Sequence, residues 1–297
     1  MSLPPLYKYL NVEGAKLTLG NRCFKHAKPS DFNDIEDLTI NSLFPEETEA
    51  ALTRLSNGFT DVILRHLNDP PTCASPMREK VALIQHVYRT NPQAAEMVKA
   101  EIAKGDKPVF DVEHMRARAE TFIKEINDYM QGCRVLCVTT HKDSEAMWSG
   151  YAENHKGIAI RIEPNLAKDS KFQLFKPVVY REKRPPLYDD TLEFIVGGLF
   201  GNLEQRCRAA LDKIAYAKTL PWQHEGEYRL VIPLRQGEEP WNTLAYHPEE
   251  ITELYLGAAM TDADRQDIVA KAKALNPLIA VFQAKRDNEG RISFDGV

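Results

Sequence analysis

At 297 residues, with 43% hydrophobic and 27% charged residues, the chain has an ordinary globular balance and enough length to bury a full core. A formal net charge of −5 excludes an overall basic field that would gather nucleic acid. Five scattered cysteines with no CxxC pair exclude a zinc framework, and neither a leader pattern nor a membrane-length apolar run is present, so a soluble cytoplasmic protein with free thiols is expected.

Leu6 to Leu10 (LYKYL) alternates and reads as a first strand, with Tyr7 and Tyr9 on one face and Lys8 on the other. Leu17 to Leu19 and Cys23-Phe24 read as short strand pieces around a Gly20-Asn21 turn. The segment KPSDFNDIED is a loop anchored by Phe32, with Asn33 and Asp34 placed to bond its own backbone. From Pro45 to Gly132 the pattern is helical: PEETEAALTRL running into LSNGFTDVILRHL, then SPMREKVALIQHVY, NPQAAEMVKAEIAK and FDVEHMRARAETFIKEINDYM. His66, His86 and His114 fall on separate helices and read as ordinary histidines.

Strands return with RVLCVTT, GIAIRIE and FQLFKPVVY. Between the first two lies a short helix with Ser144 as N-cap and Met147, Trp148 and Tyr151 at helical spacing, followed by His155-Lys156-Gly157, where glycine suits a turn of positive φ. The two aromatics can wall a pocket or simply join the helix to the sheet. Residues 189–219 are helical but interrupted by Gly197, Gly198 and Gly201, giving two helices or one kinked one. The basic run Lys176, Arg181, Lys183 and Arg184 sits beside Pro185-Pro186 and reads as a solvated loop. LPWQHEGEYRLVIPL is loop into strand, TELYLG another strand, and Thr261 to Leu275 a helix capped by Thr261. LIAVFQAK and GRISF close the chain as a hairpin-like pair around Asp287 to Gly290. Strands that do not alternate one-for-one with helices imply an α+β fold with mixed, largely antiparallel sheets. The implied organisation is 1–44 as the first part of an α+β core, 45–131 as a helical insertion and 132–297 as the remainder.

The stretch WQHEGEYR carries the densest chemistry. As a strand it puts Glu225, Glu227 and Arg229 on one face, the carboxylates about 7 Å apart. Such a pair can steady a developing cation and orient a nucleophile; it can equally be a solvated salt-bridge ladder. A third reading makes Asp34, Glu225 and Glu227 metal ligands of a nuclease or other hydrolase. Nucleotide-binding glycine loops, HExxH and GxSxG are absent.

The combination LYKY, FND, VLCVTT…MWSGYAENHKGIAIRI and LPWQHEGEYRLV resembles the largely bacterial domain-of-unknown-function family numbered 2971, although Ile35 and Glu36 stand where that family usually has proline and phenylalanine. The order of elements more distantly resembles the ADP-ribosyltransferase fold, a split-sheet architecture in which an early strand, a middle strand-helix and a late E-x-E strand surround NAD. That resemblance implies NAD as substrate, a macromolecular acceptor (protein or nucleic acid) and no metal. It implies Glu227 as the carboxylate on the ribose 2′-hydroxyl and Glu225 as the group orienting the acceptor. Tyr151 and Trp148 would pack on a ring of NAD, with Tyr7, Lys8 and Tyr9 at the early position and Lys8 or Arg229 on the pyrophosphate. The usual early Arg or His is missing. The alternative it leaves is a non-catalytic module whose pocket binds a ligand or partner.

Overall fold

The computed structural model describes residues 3–103, 112–234 and 237–297. The chain divides into two compact units, the first made of Met1–Asp37, Gln131–Lys183 and Lys218–Val297, the second of Leu38–Met130 and Arg184–Ala217. The strands, in chain order, are β1 (Leu6–Leu10), β2 (Cys23–Lys25), β3 (Cys133–Thr139), β4 (Ile158–Ile162), β5 (Lys176–Pro177), β6 (Val179–Arg181), β7 (Ala217–Thr219), β8 (Glu227–Pro233), β9 (Thr243–Ala245), β10 (Ile251–Leu256), β11 (Ala280–Arg286) and β12 (Ile292–Gly296).

Eight of them form one sheet in the order β12-β11-β10-β4-β1-β3-β8-β5. Its strand pairs are antiparallel except β10 with β11, the mixed α+β arrangement the sequence implies. β1 pairs along its whole length with β4, from Leu6↔Ile162 to Leu10↔Ile158. β3 likewise pairs along its whole length with β8. Between β1 and β3, however, a single register pair holds, Tyr7↔Thr139. Beyond that point the two strands diverge, and the sheet is split into a five-stranded and a three-stranded part.

Alternation sorts the side chains as the pattern of β1 and β4 requires. Leu6, Ile158, Ile160 and Ile162 join a core with Leu19, Ile268 and Leu275 from the helices Val12–Asn21 and Asp262–Leu275. Tyr7, Tyr9 and Ala159 face the other way, into a cluster with Trp148, Tyr255 and the rim residue Phe294. The strand reading of Leu17 to Leu19 is corrected: Val12–Asn21 is one helix, started by the Asn11 side chain accepting from the Gly14 amide. Its buried positions Ala15, Thr18 and Leu19 are spaced by three and four, and the cap decides the matter. FQLFKPVVY is also less regular than expected: a 3-10 turn at Lys171–Leu174 precedes the short β5 and β6, because Pro177 cannot donate within a ladder. Ser144 and Thr261 cap their helices as anticipated.

The second unit is helical. It holds Thr48–Arg65, Met77–Thr90, Pro92–Ala103 and most of Val112–Gln131, together with Thr191–Leu199 and Leu203–Ala215. The expected helix ends at Lys104, Phe110 and Asp111 lie outside the described residues. Among the described residues no helix is long and apolar enough to cross a membrane.

Gly157 does not have the positive φ expected of it; the left-handed residues of that turn are Glu153, Asn154 and His155. Its role is close approach, since a Cβ there would overlap the Leu10 carbonyl oxygen at the end of β1. Gly157→Ala should therefore destabilise the protein by about 1–3 kcal/mol, read as a lower urea midpoint at unchanged slope, whereas Gly150→Ala, with open space around it, should move the midpoint little.

Candidate functional site

A cavity of about 480 Å³ opens where β1 and β3 part, within the size range of small-molecule sites. One wall is Tyr7, Lys8, Tyr9 and Asn11; the other is Val135, Cys137, Val138 and Thr139. The loop Asp31–Asp34 and the middle helix, through Met147, Gly150 and Tyr151, close the sides, and Lys218, Trp222, Glu225 and Glu227 form the end. All of these residues belong to the first unit.

Glu225 and Glu227 do not alternate along one strand. Glu225 ends a 3-10 helix (Leu220–Glu225), Gly226 is left-handed at φ 51°, and β8 starts at Glu227. This turn folds the two carboxylates onto one cation: Lys218 Nζ lies 2.5 Å from Glu225 and 3.1 Å from Glu227. A Cβ on residue 226 would collide with the His141 ring and Thr140 Oγ1, so glycine is required there by both space and φ. The Thr139 hydroxyl donates to the Glu225 carbonyl at 2.5 Å, and the Glu227 amide donates to the Tyr180 hydroxyl at 2.9 Å, which pins the turn from both sides.

The solvated-ladder reading is overturned by burial: Glu225, Glu227 and Arg229 are 4%, 5% and 0% exposed. Arg229 donates from Nε to Glu227 at 2.7 Å and from Nη1 to Asp37 at 2.9 Å, with its ring partner Phe32 5.8 Å from the guanidinium carbon. Lys218 is covered by the Trp222 ring at 4.6 Å. Burial alone would raise the Glu227 carboxyl, but Arg229 and Lys218 more than offset it and hold it down to about 2. The same carboxylates keep buried Lys218 above its ordinary value and Arg229 well above.

Glu225 is the less encumbered of the pair. Among the described residues its Oε1 accepts from the Tyr151 hydroxyl at 2.5 Å and its Oε2 from Lys218, leaving a lone pair on each oxygen. Burial and Glu225 raise the Tyr151 phenol, which stays a proton donor.

Of the residues singled out in the sequence, Tyr7, Lys8, Tyr9, Tyr151, Glu225 and Glu227 line this one cavity. Trp148 and Arg229 do not. Trp148 is fully buried against Tyr9 (5.2 Å, edge-on) and His155 (stacked at 6.2 Å), so it cannot pack on a ligand ring. Arg229 is sealed beneath Glu227 and cannot reach a pyrophosphate. Asp34 lines the cavity and bonds the Glu36 amide of its own loop, as read from sequence. Asp37, Thr139, Lys218 and Trp222 were missed. Lys218 carried one signal, a charge directly after the run Ile214-Ala215-Tyr216-Ala217, which a fold buries at least cost beside carboxylates.

Residues 147–230 are similar to one family. Its description is Protein of unknown function (DUF2971), and the matched span runs from Met147 on the middle helix to Leu230 on β8. It therefore carries Tyr151, Lys218, Trp222, Glu225 and Glu227 together. No curated protein and no solved structure matches the chain.

The ion cluster makes two predictions. Arg229→Met should cost roughly 3–5 kcal/mol, because Asp37 and Glu227 would remain buried without that cation; equilibrium unfolding in urea measures it. Because Glu227 is depressed in the folded state, its stabilising contribution is present above its ordinary value of 4.5 and is lost as pH falls toward about 2. Glu227→Gln should thus be less stable at neutral pH, yet lose less further stability between those two pH values than the wild type.

Proposed function

We propose that the cavity binds NAD and cleaves its nicotinamide–ribose bond, passing ADP-ribose to a macromolecular acceptor. The observation that carries this reading is Glu225, held on the cavity wall by Tyr151 and Lys218 with acceptor capacity to spare. Breaking an N-glycosidic bond leaves positive charge on the ribose, and a fixed carboxylate beside the 2′-hydroxyl stabilises that charge as it develops. Glu225 takes this role more readily than Glu227, whose oxygens are bridged by Arg229 and Lys218. Glu227 serves as the constant anion that holds Lys218 in place.

The charge of the lining agrees. Asp31, Asp34, Asp37, Glu153, Glu225 and Glu227 outnumber Lys8, Lys25 and Lys218. A negative cavity favours the cationic nicotinamide ring in the ground state and the ribosyl cation as the bond breaks. Tyr7, Tyr9 and Tyr151 supply aromatic surface, and exposed Lys25 is the cation available to a phosphate at the rim. The split between β1 and β3 supports the likeness to a split-sheet transferase.

A metal-dependent hydrolase is disfavoured, because the Lys218 ammonium stands between Glu225 and Glu227 where a shared cation would have to sit. A second reading, a binding module without catalysis, is favoured by one observation: Glu227 is already fully ion-paired. The two are separated by incubating the protein with NAD labelled in the nicotinamide ring. Release of free nicotinamide, reduced about 10²–10³-fold in Glu225→Gln with the fold intact, is the expected result. Tyr151→Phe should retain more activity than Glu225→Gln. Thermal stabilisation by NAD with no release, in wild type and variant alike, supports the binding module instead.

A further inference from the structure

The charges around the cavity differ between its inner end and its mouth. The inner end is nearly balanced: Arg229, sealed beneath, pairs with Asp37 and Glu227, and Lys218 pairs with Glu225 and Glu227. Of the charged residues on the wall, Lys25, Asp31 and Glu153 are exposed and so stand at the mouth. The Glu153 carboxylate is held there by the Val12 amide at 3.3 Å. The inner cations already have partners: Lys218 lies among three carboxylates, and Lys8 donates to the Cys137 carbonyl oxygen at 3.0 Å. Among the described residues, a ligand anion therefore meets Lys25 at a mouth that also carries two carboxylates, whereas a ligand cation is favoured from the mouth to Glu225. Volume points the same way. About 480 Å³ lies in the lower half of the range that encloses drug-sized ligands, which suits one base with its ribose and leaves the rest of a dinucleotide outside.

We infer that the unit this cavity recognises is a phosphate-free riboside of a cationic base, with nicotinamide riboside as the simplest case. The inference rests on the reading of Glu225 as the carboxylate that stabilises a ribosyl cation, and it narrows that reading from the dinucleotide to one half of it. The C1′–N bond breaks and its electron pair returns to the pyridinium nitrogen. Nicotinamide leaves neutral, and the positive charge passes to C1′ and the ring oxygen. Water then adds to C1′ and gives up one proton to solvent, completing free ribose. One riboside cation and one water become one ribose, one nicotinamide and one proton, with no change in oxidation state. The positive charge stays within the field of Glu225 throughout, and no group of the inner cavity has to carry a pyrophosphate.

The test compares nicotinamide release from nicotinamide riboside and from NAD by the whole protein, with kcat/KM measured at low and at high salt. The riboside should be cleaved with a kcat/KM about tenfold above that of NAD at low salt. Raising the salt should lower the riboside value and raise the NAD value, because screening weakens both the attraction of a cation to the lining and the repulsion of an anionic dinucleotide. Asp31→Asn, which removes one charge from the mouth, should narrow the gap from both sides; if that variant does not fold, the two salt dependences of the wild type decide alone. A site built around the pyrophosphate would show the reverse order and an NAD value that falls with salt, which would overturn the inference and leave the NAD reading standing. Release from neither substrate would overturn both.

Discussion

Five charges buried together set the terms for the first unit: Asp37, Lys218, Glu225, Glu227 and Arg229 are each no more than 7% exposed. Taking any one of these groups out of water alone would cost several kcal/mol, so none is tolerable without the others. The cost is offset only if every partner arrives in place, which ties the end of the early loop to a distant part of the chain, β7 and the start of β8. Apolar residues of the same volume would hold these segments with less desolvation. What they would not do is present a fixed carboxylate at the wall of a cavity.

That geometry depends on two further constraints. The left-handed Gly226 turns the chain so that residues two apart converge on one ammonium, and the departure of β1 from β3 after a single register pair leaves the space they face. A continuous ladder between β1 and β3 would fill that space with backbone. Lys8 reaches across the split to the Cys137 carbonyl oxygen, and Ala27 forms an isolated bridge with Val135.

Much of this was legible in the residues. The alternation of LYKYL placed Tyr7 and Tyr9 opposite Lys8, and the cap residues Ser144 and Thr261 marked their helices, because caps and alternation are local properties. The E-x-E segment pointed to Glu225 and Glu227, which both line the cavity, but through a regular strand where a 3-10 helix and a left-handed glycine stand. The burial of that segment was not legible, since it is decided by Lys218, on a separate short strand just before it, and by Asp37, which is far away in sequence. Met147, Trp148 and Tyr151 illustrate the same limit. Helical spacing put them on adjacent positions, but only the packing of β1 and β12 decides that Trp148 enters the core while Tyr151 turns to Glu225. The helix Val12–Asn21 was missed because its cap is an asparagine at the end of a strand, a signal local enough to have been read.

If the gap between β1 and β3 holds NAD with the Glu225 carboxylate as its working group, diffraction from crystals soaked with a carbocyclic NAD analogue, which cannot be cleaved, will show it. The expected density lies between Tyr7–Tyr9 and Cys137–Thr139, with the 2′-hydroxyl of the sugar ring within hydrogen-bonding distance of Glu225. An empty gap at saturating analogue, or density seated elsewhere on the protein, would contradict it.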